Sequence, residues 1–252
     1  MSESLDRPID VPQLTAEEIL ARVLHRDGLM LVINKPAGLP VHRGPKGGPN
    51  LEASFDALRF GLPRPPVLAH RLDKDTSGCL VLGRHRKATA SLGLLFKHGK
   101  ISKTYWAVVE GGPLEDEGTI DMPLGRLNAE RGWWQKVDAQ GQQAVTNWKV
   151  MGRGDGLTWL ALEPVTGRTH QLRVHSAAQG WPIVGDDIYG TQASLRSLRN
   201  EKFTPRFGEP RLHLHSRAIG IPISKNKEPV RAVAPAPEHM HERLRACGWN
   251  GE

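Results

Sequence analysis

From residue 101 onward the chain reads as strand after strand. Residues 101–110, 132–137, 144–150 and 157–163 are each rich in β-branched or aromatic side chains and end at turn signals. Helical spacing breaks in singly: a helix over 169–179 stopped by Gly180, then a strand over 212–221, then a terminal amphipathic helix over 237–247 ending at Gly248. Strands in runs, punctuated by isolated helices, favour an α+β fold on a largely antiparallel or mixed sheet over alternating βαβ units. The first hundred residues fit that class. Thr15 and Glu18 form a capping-box pattern ahead of a helical turn, and residues 29–33 read as a buried strand. Asn50 can cap a helix carrying Leu51, Phe55, Leu58 and Arg59, and a helix is predicted over 87–98 with Leu92, Leu95 and Phe96 on one face and Gly99 at its C-cap. No linker or repeat stands out, so residues 26–247 are expected to form one domain after an N-terminal extension, 1–25.

At 252 residues with a net charge of +7, the chain can bury a sizeable core and favours an anionic partner, nucleic acid first. Charge of that size also suits simple solubility, so it carries little weight alone. Two cysteines, Cys79 and Cys247, leave no disulfide framework and no cysteine-based zinc site. The N-terminus has no apolar h-region, and no stretch approaches the ~18 apolar residues of a membrane span. A soluble, cytoplasmic protein is expected.

The densest chemistry lies in His70-Arg71-Leu72-Asp73-Lys74-Asp75-Thr76-Ser77-Gly78, a turn between the apolar runs 67–69 and 79–82. A calcium loop is one reading, but its twelfth position, where a bidentate glutamate belongs, is Arg84. A Mg²⁺-dependent phosphotransferase of the haloacid-dehalogenase type is another. Asp73-Lys74-Asp75-Thr76 matches its Asp-x-Asp-x-Thr signature, and Asp186-Asp187 could supply later acids. Against it, His70 and Arg71 interrupt the required apolar strand, and the doubly wound rhythm is missing. A second constellation, Thr166-Gly167-Arg168-Thr169-His170-Gln171-Leu172-Arg173-Val174-His175, opens the helix over 169–179, with Thr169 able to cap it. Arg173 projecting from a rigid helix is suited to holding a carboxylate. His170 and His175 lie one residue too far apart for a helical zinc pair and can simply cover the sheet.

Together the two runs resemble the RluA-type family of RNA pseudouridine synthases. Asn34-Lys35-Pro36-Ala37-Gly38-Leu39-Pro40-Val41-His42 is similar to the family's first motif, and Lys103-Thr104-Tyr105-Trp106-Ala107-Val108-Val109-Glu110-Gly111 to its tyrosine-bearing strand. The resemblance spans roughly residues 25–240. It implies a long mixed sheet with a central RNA-binding cleft and flanking helices. It also implies isomerisation of uridine to pseudouridine in RNA, with no cofactor and no metal. By the same resemblance Asp73 is the catalytic aspartate, Tyr105 the active-site tyrosine and Arg173 the arginine paired with the aspartate. Arg71 fills the gap left by a flipped base, and Leu172 is an apolar wall of the uracil pocket. His70 and Arg168, within the same motifs, are expected to bind substrate.

The chemistry is coherent with those roles. The N1–C1′ bond must break, the base must turn while bound, and C5–C1′ must form. A carboxylate can attack C1′ or C6, or promote elimination at the ribose. Arg173 opposes the effect of burial on its charge, Tyr105 can stack on uracil and help remove the C5 proton, and Arg173→Ala is expected to leave folding nearly intact. A stem uridine must be extruded to be reached. Lys97, Lys100 and Lys103, the run Arg84-His85-Arg86-Lys87, and Lys35 with Arg43 form basic clusters suited to RNA; Lys225 and Lys227 read better as a solvated face. Of Trp133 and Trp134, beside Arg131, one is expected in the core and one exposed. Two departures from the family stand out. Residues 1–25 are too few for the N-terminal RNA-binding module of many members, so recognition is expected from the catalytic domain, as a monomer, on a tRNA or ribosomal RNA stem-loop. Gly220-Ile221-Pro222 replaces a His-Pro pair after the last strand. A noncatalytic RNA-binding module would share charge and fold, but has no use for Asp73, Tyr105 and Arg173 together.

Overall fold

The computed structural model describes residues 13–43, 47–128, 133–191, 211–224 and 226–251. The readings placed on residues 1–12, Arg131 and Lys225 lie outside them.

Among the described residues one ten-stranded sheet carries the fold. Its strands are β1 (Val23–Arg26), β2 (Met30–Lys35), β3 (Val67–Leu68), β4 (Ser77–Gly83), β5 (Ser102–Glu110), β6 (Glu117–Asp121), β9 (Val145–Gly154), β10 (Leu157–Pro164), β11 (Leu214–Ile221) and β12 (Val230–Val233). Two short strands, β7 (Leu124–Arg126) and β8 (Gln135–Val137), form a separate hairpin. The main order is β1-β2-β4-β11-β5-β10-β9-β6, with β12 on β11 and β3 on β4. Its pairs are antiparallel except β4 with β11, where Ser77 meets His215 and Gly78 meets Ser216. The helices α1 (Ala16–Leu20), α2 (Arg86–Lys97), α3 (Gln171–Ala178) and α4 (His241–Ala246) pack around it, with a 3₁₀ helix, Leu51–Leu58, on the N-terminal side. This is the α+β architecture the strand runs predicted.

Two-residue periodicity sorts the core. On β2, Leu31 and Ile33 join one cluster and Met30 and Val32 another. On β5, Tyr105, Ala107 and Val109 face the first cluster, while Trp106 and Val108 pack on Trp159, Met240 and Leu244 behind the sheet. All of β4 is buried, as a central strand covered on both faces must be. Gly78 makes the parallel pairing possible: it sits at φ +104°, where a β-carbon would also run into the Ser216 carbonyl.

Several boundaries differ from the sequence reading. The N-terminal extension is not separate from residue 13 onward. Ile19 is fully buried in the main cluster, Gln13 hydrogen-bonds Ser54 and the Asn50 carbonyl, and β1 pairs with β2 across the expected boundary. The strand β6 was missed because Glu117, Gly118 and Asp121 disguise it. It buries only Ile120 and needs Gly118 to admit the Trp148 indole. The helix expected over 169–179 starts two residues later, and Thr169 does not cap it. His170 stands at the cap in the left-handed region, φ 54°, with no side-chain capping bond. Instead the Gln171 side chain accepts from the Arg168 amide and the Thr166 hydroxyl and donates to Val145 and Thr146, which staples the incoming loop to β9.

Candidate active site

The turn after β3 and the loop before α3 meet over β5. They enclose a cleft of about 380 Å³, in the range of small-molecule sites. Every residue singled out for the site lines it: Asp73, Tyr105 and Arg173, with Arg71, Leu172, His70 and Arg168. Leu72 and Leu172 give apolar walls, both mostly buried, and Tyr105 closes the floor. Arg71, Lys97 and Arg168 stand exposed at the rim.

Alternation along the turn aims Asp73. Leu72 turns into the core, Arg71 points to solvent, and the Asp73 side chain keeps 23% of its exposure. The Asp73 carbonyl accepts from the Thr76 amide, closing a tight turn. Lys35 braces that turn from below. Fully buried, it donates to the carbonyls of Pro36, Lys74 and Thr76 at 2.9, 2.8 and 2.9 Å. Burial pushes its amine down to about 7 against the attraction of Asp75 and Asp73. Three carbonyls use all three donors of the ammonium, which favours keeping the proton. The reading of Lys35 as an RNA-facing charge is therefore corrected. It shares a strand face with Leu31 and Ile33, the sequence signal that could have placed it inside.

Arg173 is likewise not paired with Asp73 as expected. Its guanidinium grips Asp186 bidentately, Nε to Oδ2 at 2.7 Å and Nη2 to Oδ1 at 2.7 Å, with exposed Asp187 at 3.3 Å. Asp186 wins because its side chain is almost entirely buried and its geometry matches the fork. It also accepts the amides of Ile188 and Tyr189, which holds that loop against α3. Burial disfavours the Arg173 charge, but the Asp186 bonds and the charges of Asp186, Asp73 and Asp187 more than offset it and raise its pKa. Asp186 and Asp187, assigned above to a phosphotransferase's metal, are thus committed to an arginine. The sheet is also not doubly wound, and the phosphotransferase reading is set aside.

Among the described residues, the ionisable side chain within ion-pair reach of Asp73 is one to which no catalytic role was given. His170 Nε2 lies 3.8 Å from Asp73 Oδ2. Its Nδ1 is 2.9 Å from the Tyr189 hydroxyl, which accepts the Gln135 amide at 2.9 Å. With that amide donating to the hydroxyl, the phenol's own proton is free for Nδ1, and Nε2–H then faces the carboxylate. Burial lowers the His170 pKa despite Asp73, favouring that neutral form. His175 does only what its bland reading held: buried, it bonds Thr146 and the Met122 carbonyl. His70 lines the cleft, but its Nε2 accepts the Val81 amide and its ring stacks on Phe96 at 4.1 Å. Burial pushes its pKa to about 3. Arg168 is tied to the Gln143 carbonyl. Tyr105 is pushed up to about 12 by burial, against a hydrogen bond from Ser216, so it is a neutral phenol at neutral pH. Trp133 is exposed, its ring 5.7 Å from that of His170, and Trp134 is half-buried.

The family model of RNA pseudouridylate synthases matches residues 29–178. An uncharacterised RNA pseudouridine synthase of Zymomonas mobilis is 42% identical over 219 residues, covering 86% of this chain and 94% of that one. The ribosomal large subunit pseudouridine synthase D of Buchnera aphidicola is 36% identical, covering 96% of this chain and 77% of its own. Among solved structures, human RNA pseudouridylate synthase domain containing 4 superposes with a TM-score of 0.72 at 30% identity, covering 91% of this chain and 95% of that one. The chain belongs to the RNA pseudouridine synthases, in their RluA-type family. It is therefore an isomerase that acts on uridine in RNA.

Proposed function

We propose that Asp73 is the reacting carboxylate and that the cleft around it receives an extruded uridine. One observation carries this reading. Of the carboxylates near the cleft, Asp186 is locked into a buried ion pair, whereas Asp73 remains part-exposed in the cleft wall and, among the described residues, has only the His170 N–H as an ion-pair neighbour, at 3.8 Å. A carboxylate held by its backbone and left without a tight counter-ion can act at C1′ or C6, or promote elimination. Leu172 and Tyr105 hold the uracil plane. As a neutral phenol Tyr105 stacks and relays a proton, and it does not act as a standing phenolate. Arg173 supplies positive potential to the same wall; its Nη1 makes no hydrogen bond among the described residues. Extruding the base costs ~ a few kcal/mol, offset by Arg71 entering the stack and by phosphate contacts at the cationic rim.

The substrate we infer is a stem-loop of large-subunit ribosomal RNA or tRNA; relatives named as large-subunit synthases support the ribosomal choice. Two free buried cysteines suit the cytoplasm. No helix among the described residues is long and apolar enough to cross a membrane. The test is tritium release from RNA labelled at C5 of uridine. Release is expected to persist in EDTA and to vanish in Asp73→Asn with RNA affinity retained. Release by that variant at the wild-type rate would refute the assignment. A pseudouridine map of tRNA and large-subunit ribosomal RNA, with and without the protein, identifies the target.

A further inference from the structure

On β5, Lys103 and Tyr105 are two residues apart and share the face that lines the cleft, while Thr104 and Trp106 face the opposite side. Lys103 is half-buried beside His70 and Phe96. Among the described residues its ammonium has no ion pair and no hydrogen bond. Among the described residues neither acid of the site pairs with it: Asp73 has His170 at 3.8 Å and no tight counter-ion, and Asp186 grips Arg173. His70 cannot take the charge either, since its Nε2 is filled by the Val81 amide. The contrast with Lys35 is instructive, because that deeper lysine has a carbonyl for each donor. A cation drawn partly out of water with no counter-charge is unfavourable until a ligand brings one. Burial alone lowers its pKa, and no acid opposes it.

The proposed ligand of the cleft is a uridine within RNA, and the anionic groups it brings are the phosphodiesters on either side of it. We propose that Lys103 is the phosphate-binding residue of the cleft, its ammonium seated on a non-bridging oxygen of a phosphodiester flanking the flipped uridine. A compact ammonium on a flexible stem suits such a point-charge contact. This inference rests on reading the cleft as the uridine pocket.

The experiment is inhibition of tritium release by uridine, uridine 5′-monophosphate and uridine 3′-monophosphate. On the wild type, one monophosphate is expected to inhibit at about one tenth of the uridine concentration, the scale of one charge-assisted hydrogen bond. Lys103→Met should erase that advantage while leaving inhibition by uridine itself in place, and Lys103→Arg should keep most of it. With RNA as substrate, Lys103→Met should raise KM more than it lowers kcat. Thermal unfolding should show Lys103→Met no less stable than wild type, because it removes an unpaired charge. Monophosphates no better than uridine on the wild type, or an advantage that survives in Lys103→Met, overturns the proposal. Failure of uridine to inhibit at all would instead overturn the reading of the cleft, and Lys103 with it.

Discussion

Replacing Arg173 with methionine keeps much of the side-chain volume but strands Asp186. That carboxylate is almost fully buried and loses both 2.7 Å bonds to the guanidinium. Breaking one side of a buried pair costs about 3–5 kcal/mol. At ~2–4 °C per kcal/mol for a chain of this size, the melting point should fall by roughly 6–20 °C. This departs from what the sequence alone implied, that Arg173 could be truncated with little effect on folding. Asp186→Leu in the same chain removes the stranded charge and should recover part of the loss. Recovery stays partial because the Ile188 and Tyr189 amides lose their acceptor. Calorimetric unfolding of wild type, both single variants and the double variant gives the coupling energy, and tritium release on the same samples gives turnover. Turnover should stay low in the double variant, since positive potential beside Asp73 is not restored. A single variant within about 1 kcal/mol of wild type, or a double variant no more stable than Arg173→Met, would refute the reasoning.

Lys35→Met should leave three buried carbonyls unpaired while removing a buried charge, for a net loss of roughly 2–4 kcal/mol. The loosened turn should also lower kcat by about 100-fold, the scale of a 1 Å misplacement; unfolding and single-turnover release check both, and unchanged turnover would show that the turn does not depend on this brace. Stability should fall with acid through His215, which accepts the Ser77 hydroxyl on Nδ1 and donates from Nε2 to the Ala234 carbonyl. Burial lowers its pKa from 6.5 to about 4. Between those values the unfolded chain binds a proton that the folded chain does not, so stability present above pH ~6.5 drains away down to pH ~4, by on the order of 3 kcal/mol. Denaturant midpoints at pH 7.5 and 4.5 measure the combined loss, and His215→Gln should make it smaller without abolishing it, since buried His70 drains stability over the same range; an equal slope in that variant would assign the whole effect elsewhere.

The strand runs, the motif turn and the cleft composition were all legible in the sequence, because apolar alternation and turn residues act locally. Asp73, Tyr105 and Leu172 stand where the motifs implied. What was not legible depends on who meets whom. Arg173 looked ready for Asp73, and only the fold shows that Asp186 is more deeply buried and has the better geometry. The left-handed backbone at His170, which directs that ring at Asp73, follows from no residue preference in the loop. Lys35 read as surface charge because a lysine is rarely buried, although its strand parity pointed inward. The strands β1 and β6 escaped notice because their neighbours in the sheet, and not their own composition, make them strands.

The parallel seam between Ser77-Gly78 and His215-Ser216 has a consequence for the order of events in synthesis. Asp73 leaves the ribosome long before the strand that flanks its turn, and β5, already paired with β10 on one side, lacks its other neighbour until β11 arrives. A nascent chain with the whole Asp73 turn and all of α3 therefore still has a gap at the centre of its sheet. Long-range closure of this kind is slow and entropically unfavourable. Catalytic competence is thus deferred until translation has passed Ile221.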